Sequence, residues 1–319
     1  MIYFILFAIL LILELAYFRI ARSLNIKDRP NERSSHRHVT LLGGGVVFLF
    51  AVLLYALVYG TQYSWLVAGT TLLAVVSFMD DLSPLSPKFR LFIHLGSLLL
   101  IFPDLEMYSF SIPLILSVLV IAAGVLNAYN FMDGINGMMG MTTLVVLGGL
   151  IYVNAVIVPF VDANLLYLLL MAVGIFNFFN FRKQAVCFAG DVGAFTMGII
   201  MVFLILKLII VSGNIVWIAM LAMFGVDTIL TIVHRIFLGE NITRPHRKHL
   251  FQILANELKI SQLFISGGYA LIQLIIIVGL INSGHYSFVF ASVSILTLTL
   301  LYIFIKRKYF HLHIENTTV

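Results

Sequence analysis

The chain has a single cysteine, Cys187, in 319 residues. That excludes an internal disulfide and any metal site built on cysteine pairs. Charge is scarce as well, with only 10% of residues Asp, Glu, Lys or Arg, against about 25% in an ordinary soluble domain. There is no internal repeat, no low-complexity segment and no polar stretch long enough for a soluble domain or a long linker. Lys and Arg are missing from every second connection: 60–63, 103–111, 159–163, 213–214 and 282–286 contain none.

What the chain has in abundance is apolar sequence, 61% hydrophobic residues with a mean hydropathy of +1.08. Such a chain belongs in a bilayer, where one spanning helix takes roughly 20 mostly apolar residues. Eleven runs qualify, around 2–20, 42–59, 64–79, 89–102, 112–129, 138–158, 164–180, 192–212, 215–236, 263–282 and 285–305, the fourth being short. The expectation is an all-α, polytopic membrane protein with about eleven transmembrane helices and one domain over 1–319. The first run lacks a basic leader and a small-residue cleavage site and carries Glu14, which favours a retained span over a signal peptide.

All but one of the 19 Lys and Arg residues fall in 19–37, 88–90, 182–183, 235–259 and 306–308. Basic loops stay on the cytoplasmic side. Their alternation with the bare connections requires an odd number of spans, with the N-terminus outside and the C-terminus cytoplasmic. The exception, Lys207, lies about 24 Å along a helix from Asp191 at 1.5 Å per residue, and is expected to snorkel at the outer surface. Anionic lipid and this bias account for the net charge of +5, so no nucleic-acid partner is needed.

Five cytoplasmic segments hold the unusual chemistry: "DRPNERSSHRHVTLLGGG" (28–45), "SFMDDLSPLSPKFR" (77–90), "NAYNFMDGING" (127–137), "NFRKQAVCFAGDVGAF" (180–195) and "GENITRPHRKHLFQ" (239–252). Acids at the ends of spans are costly and mark ions, protons or substrates. Asp80, Asp81, Asp133 and Asp191, with Asn130 and Asn136 as neutral oxygen donors, suit a hard cation. Mg²⁺ takes one or two carboxylates and completes its shell with water and substrate phosphates, so such a site implies a phosphorylated substrate. The knot His246, Arg247, Lys248 and His249 suits phosphate oxygens and equally fits an ordinary basic loop.

Several residues carry two readings. Asp191, between two glycines at the start of a span, serves as a metal ligand or as a helix cap. Asp80 and Asp81 point about 100° apart on a helix, so one can face phosphates while the other meets Lys88 or a loop. Gly43, Gly44 and Gly45 admit close backbone approach to a ligand or to another helix. Phe188 is a candidate to stack on a nucleobase or a packed aromatic. Glu14 and His94 are expected to make interhelical hydrogen bonds, and Met138, Met139 and Met141 to be packing.

In this order the segments resemble the polyprenyl-phosphate N-acetylhexosamine-1-phosphate transferases, which start bacterial cell-envelope polysaccharides. The likeness runs from about Asp28 to Gln252. The family's paired aspartates match Asp80 and Asp81, with its following lysine at Lys88. Its Asn-x-x-Asn-x-x-Asp-Gly pattern matches Asn127, Asn130, Asp133 and Gly134, and its Gly-Asp-x-Gly matches Gly190–Gly193. The resemblance implies catalytic roles for Asp80, Asp81, Lys88 and Asp133, and Mg²⁺, or Mn²⁺, on Asp191 and Asn130. It implies nucleotide-sugar contacts from Asn127, Gly134, Asn136, Asn180 and Phe188, with His246, Arg247 and His249 cradling the pyrophosphate.

Two departures stand out. Asn136 replaces an Asp common in relatives, and the histidine loop has two histidines flanking Arg247 and Lys248, a form closer to the branch that starts O-antigen or capsule. The implied reaction moves an N-acetylhexosamine 1-phosphate, such as that of GlcNAc, from a UDP-sugar to undecaprenyl phosphate and releases UMP. It would take place at the cytoplasmic face of a bacterial inner membrane, by direct attack with Asp80 orienting or deprotonating the lipid phosphate. A homodimer is compatible with this reading. The rival is an ion-coupled secondary transporter, whose acids would lie near the midplane in broken helices. A non-enzymatic scaffold would have no need of the acidic set.

Overall fold

The computed structural model describes residues 1–28, 38–242 and 246–317, with side chains described as far as Leu312. Arg29, Arg33, Arg37 and Arg244, counted above among the basic loop residues, lie outside the described residues. In lipid an apolar segment can satisfy its backbone polar groups within itself only as a helix, and each of the eleven runs is helical. In chain order the helices are α1 (Ile2–Ser23), α2 (Val46–Tyr59), α3 (Ser64–Leu82), α4 (Pro87–Leu100), α5 (Ile112–Met132), α6 (Met138–Tyr152) and α7 (Ala163–Asn180). They continue as α8 (Gly190–Ser212), α9 (Ala222–Phe237), α10 (Leu250–Asn256), α11 (Gln262–Asn282) and α12 (Ser287–Thr317). A 3₁₀ segment, Ile215–Leu221, leads into α9.

Nine helical stretches among the described residues are long and apolar enough to cross a membrane. The other two of the eleven runs, α2 and α4, have 14 residues each, about 21 Å at 1.5 Å per residue. The fourth run, short at 89–102 and open to extension into its flanks, starts at Pro87. Ser86 accepts from the Phe89 amide at 3.3 Å and proline occupies the first turn, a start that proline's fixed φ favours.

The protein is thus an all-α, multi-pass membrane protein. Helix α8 is its axis, packed against α2, α3 and α5 and buried at most positions from Val192 to Leu208. Helices α5 and α12 instead expose apolar side chains such as Leu116, Val120, Phe288 and Leu296, as lipid-facing helices do.

Two features place the site. A two-residue ribbon pairs Lys27–Asp28 with Thr40–Leu41, and Leu41 also bridges Cys187. This ties the first loop to the connection between α7 and α8. Just beyond, the Gly44 and Gly45 amides donate to the Phe188 and Ala189 carbonyls at 2.8 and 3.1 Å. A methyl group added at Gly193 would lie 2.5 Å from the Gly45 Cα, so the glycine run serves backbone-to-backbone approach of α2 and α8.

Lys207 reaches the connection between α4 and α5, donating to the Asp104 carbonyl at 2.9 Å. Met138 and Met139 are buried packing residues. The expectation for Glu14 is not met: it is fully buried, and neither carboxyl oxygen has a partner among the described residues. His94 lies with its ring 4.3 Å from that of Phe195.

Candidate active site

Helix α8 opens with four backbone N–H groups that no earlier turn can satisfy, and an anion at that end is further favoured by the helix dipole. Asp81, from the last turn of α3, fills this place. Its Oδ1 accepts from the Asp191 amide at 2.9 Å and its Oδ2 from the Val192 amide at 3.0 Å. Gly190, at φ +72°, leaves the room, since a Cβ there would come within 2.7 Å of Asp81 Oδ2. The cap of α8 is therefore supplied across the interface by Asp81, and the Asp191 side chain is released for other contacts.

Asp191 uses that freedom. Its Oδ1 accepts from Asn130 Nδ2 at 2.7 Å, and its Oδ2 lies 3.4 Å from Arg90 Nη2. The other arm of the Arg90 guanidinium is 2.8 Å from Asp80 Oδ2, while Asp80 Oδ1 accepts from the Leu85 amide at 2.6 Å. Asp133, just past α5, faces the same helix start, with the Gly190 and Ala189 backbone as hydrogen-bond partners. Burial pushes its carboxyl well above the ordinary carboxylate range, and the nearby Asp81 and Asp191 charges add to the effect. Four carboxylates from α3, the end of α5 and α8 thus converge, as the sequence led us to expect.

The cation that reaches them is Arg90. Lys88 is exposed on the first turn of α4. Two residues along a helix is a turn of about 200°, so the two basic side chains leave α4 in different directions. Arg90 also lies over the Phe195 ring, 5.8 Å from its centre.

The remaining polar residues of the 127–137 island divide. Asn127 is exposed and bonds back to the Ala123 carbonyl at 2.8 Å. Asn136 is buried, donating to the Arg182 carbonyl at 2.7 Å and taking Gln262 Oε1 at its amide at 3.0 Å. Asn180 accepts from the Gly137 amide at 2.7 Å and donates to the Cys187 carbonyl at 2.9 Å. Asn136 and Asn180 thus tie the 127–137 island to the connection between α7 and α8. Phe188 is half-buried, its backbone in register with Leu41 and Gly44.

The histidine loop packs against the same turn of chain that carries Asn130 and Asp133. His246 and His249 stack with ring centres 5.0 Å apart, and Phe131 lies 5.9 and 5.3 Å from them. A Cβ at Gly134 would sit 3.0 Å from Phe251. Burial, reinforced by the charges of Arg235 and Lys306, pushes His246 down to about 3, so at neutral pH it is a neutral hydrogen-bonding ring. Lys248 pairs with Glu240, which also takes Arg235 Nε at 3.0 Å. His249 is 2% exposed and meets the buried Asp227 of α9 at 3.1 Å. Arg90 and Asp227 are absent from the residues singled out by sequence. An acid inside an apolar run is the signal that would have flagged Asp227.

A family model, "Glycosyl transferase family 4", matches residues 63–209, the span that carries Asp80, Asp81, Arg90, Asn130, Asp133 and Asp191. Over that span the chain is similar to glycosyl transferase family 4. Relatives align over most of its length. A probable undecaprenyl-phosphate N-acetylglucosaminyl 1-phosphate transferase of Bacillus subtilis is 25% identical over 262 residues, 73% of this chain and 70% of its own. The undecaprenyl-phosphate alpha-N-acetylglucosaminyl 1-phosphate transferase of Escherichia coli K12 is 23% identical over 278 residues, 74% of this chain and 71% of its own. That of Yersinia pestis is 24% identical over 286 residues, 76% and 73% of the two chains. These likenesses support a membrane transferase.

Among the described residues, no three His, Cys, Asp or Glu side chains form a ready metal cage. Mg²⁺ does not need one, since substrate phosphates and water fill much of its shell. The donor set has the chemistry for it: oxygen only, several carboxylates, and one guanidinium set between Asp80 and Asp191.

Proposed function

We propose that the protein transfers an N-acetylhexosamine 1-phosphate from a UDP-sugar to undecaprenyl phosphate and releases UMP, with its site at the cytoplasmic face of a bacterial inner membrane. The observation that carries this reading is the meeting of Asp80, Asp81, Asp133 and Asp191 at one helix start, with a histidine loop packed on the adjoining Phe131. Phosphoryl transfer asks mainly for positioning and charge neutralisation, and one wall here is suited to a cation and the other to phosphate oxygens. The names of the relatives supply the acceptor class and the sugar.

Asp191 and Asn130 would hold Mg²⁺, which supplies charge neutralisation at the pyrophosphate. The protein's own residues do the rest. Arg90 bridges Asp80 and Asp191 and is the guanidinium within reach to offset phosphate charge there. Asp81 stays with the α8 amides and keeps Asp191 in position. Asp80 orients the lipid phosphate, whose second pKa of about 6 leaves it mostly ionised at neutral pH and ready for direct attack. His249 and Arg247 face the pyrophosphate. UMP released from UDP-sugar without any lipid acceptor would instead indicate a covalent aspartyl intermediate.

The test is a donor panel of UDP-GlcNAc and deoxygenated UDP-N-acetylhexosamines, with purified protein and undecaprenyl phosphate, with Mg²⁺ and with EDTA. We expect one UMP per lipid-linked sugar phosphate formed, loss of product in EDTA and recovery with Mg²⁺. Failure with every donor and acceptor, in protein that is folded, would overturn the reading.

A further inference from the structure

Asp227, in α9, is a buried acid at 2% exposure. Its Oδ1 accepts from the Leu250 amide at 3.1 Å and from Thr231 Oγ1 at 3.2 Å, and its Oδ2 from the Tyr269 hydroxyl at 2.8 Å. Thr231 is itself held 2.6 Å from the Tyr302 hydroxyl, which lies 2.5 Å from Lys306 Nζ. Residues of α9, α10, α11 and α12 therefore fix one carboxylate. Such a carboxylate only accepts hydrogen bonds.

His249 Nδ1 is 3.1 Å from Asp227 Oδ1, so Nδ1 is the ring nitrogen that carries the proton toward it. The other nitrogen, Nε2, is buried and has no partner among the described residues. A buried polar atom left without a partner costs about 1–3 kcal/mol. The ring is wedged between His246 at 5.0 Å and Phe251 at 5.6 Å, with Phe131 at 5.3 Å. Phe131 follows Asn130 directly in sequence, so the unpartnered nitrogen belongs to a ring packed against the same turn of chain that carries Asn130 and Asp133.

Resting on the transferase reading, we propose that Asp227 is a positioning residue that fixes His249 through Nδ1 and reserves Nε2 for a phosphate oxygen of the nucleotide. A histidine whose second nitrogen is bonded to a carboxylate has its tautomer and orientation set by that bond. With a phosphate at hand, the ring takes a proton from solvent at Nε2 and donates it in a charge-assisted hydrogen bond, while Asp227 offsets the imidazolium charge. No covalent bond is made or broken by either residue.

Two measurements on the full-length protein test this. The first is a double-mutant cycle on UMP release with UDP-GlcNAc and undecaprenyl phosphate. His249→Gln and Asp227→Asn should each lower kcat by about 10²-fold, and the double variant should be no worse than His249→Gln alone, because both changes remove one action. Additive losses would show that Asp227 acts independently of His249. The second is ¹⁵N NMR of histidine-labelled wild type, with the His249 signals identified by difference against His249→Gln. The Nδ1–H form is expected, with Nε2 perturbed on addition of UMP. An Nε2–H form, or no response to UMP, would overturn the proposal even if Asp227→Asn fails to fold. Wild-type protein inactive with every donor, yet showing the Nδ1–H form and the UMP response, would place the failure in the transferase reading and not in this one.

Discussion

The two ends of the helical bundle handle their acids differently. At the end that carries the α4 to α5 and α6 to α7 connections, the aspartates are spent on local structure, while Glu106 is exposed. Asp162 starts α7, accepting from the Asn164 amide at 2.9 Å and from the Tyr55 hydroxyl at 2.9 Å. Asp104 takes the Leu66 amide at 2.7 Å. At the other end, Asp80, Asp81, Asp133 and Asp191 crowd one helix start with a single guanidinium between two of them. An end whose aspartates are matched one by one is a folded loop, and an end with acceptors in excess is a place for a cationic or donating ligand.

This contrast can be broken most directly by removing one acid from each end. Asp191→Asn should lower turnover by at least about 10²-fold with little change in thermal stability, whereas Asp162→Asn should lower the midpoint of thermal unfolding and leave turnover near wild type. Comparable turnover in the two variants would erase the distinction between the ends. A finer comparison lies within α4. Arg90→Ala should cost about 10- to 100-fold in kcat, the usual effect of losing a group that orients a ligand carboxylate, and Lys88→Ala should cost less. The reverse order, read from the same assay, would put Lys88 at the phosphates.

The smallest effect concerns the histidine wall. Burial holds His246 neutral down to about pH 3, while an unfolded histidine titrates near 6.5. The unfolded chain therefore binds more protons between these values, and the stability that neutral His246 contributes is present above about pH 6.5 and declines as pH falls toward 3. His246→Gln should flatten the loss of thermal stability between pH 7 and 5. An unchanged slope would mean that the ring titrates alike in both states.

The helices were readable in the sequence because lipid leaves an apolar run few alternatives, and their ends followed wherever a local signal such as Ser86–Pro87 was present. The convergence of the aspartates was readable from the side on which the basic loops fall. The division of labour between Asp80 and Asp81 was not, because it depends on which backbone arrives opposite them: Asp81 meets the amides of α8, more than a hundred residues later. Lys88 and Arg90 are equal as letters and differ only in the direction each leaves the helix. Asp227 was visible as an acid in an apolar run, but its role was hidden because its partners, Leu250, His249 and Tyr269, come from other segments. The glycines at 43–45 admitted two uses until their neighbours were known.

The contact between Gly45 and Gly193 has a mechanical consequence. Where bare main chain touches bare main chain, there are no rotatable groups to absorb a shift, so α8 can neither slide nor swivel against α2 without parting from it. The height of Asp191 relative to the first turn of α2 is thereby held like a bolt in its keeper.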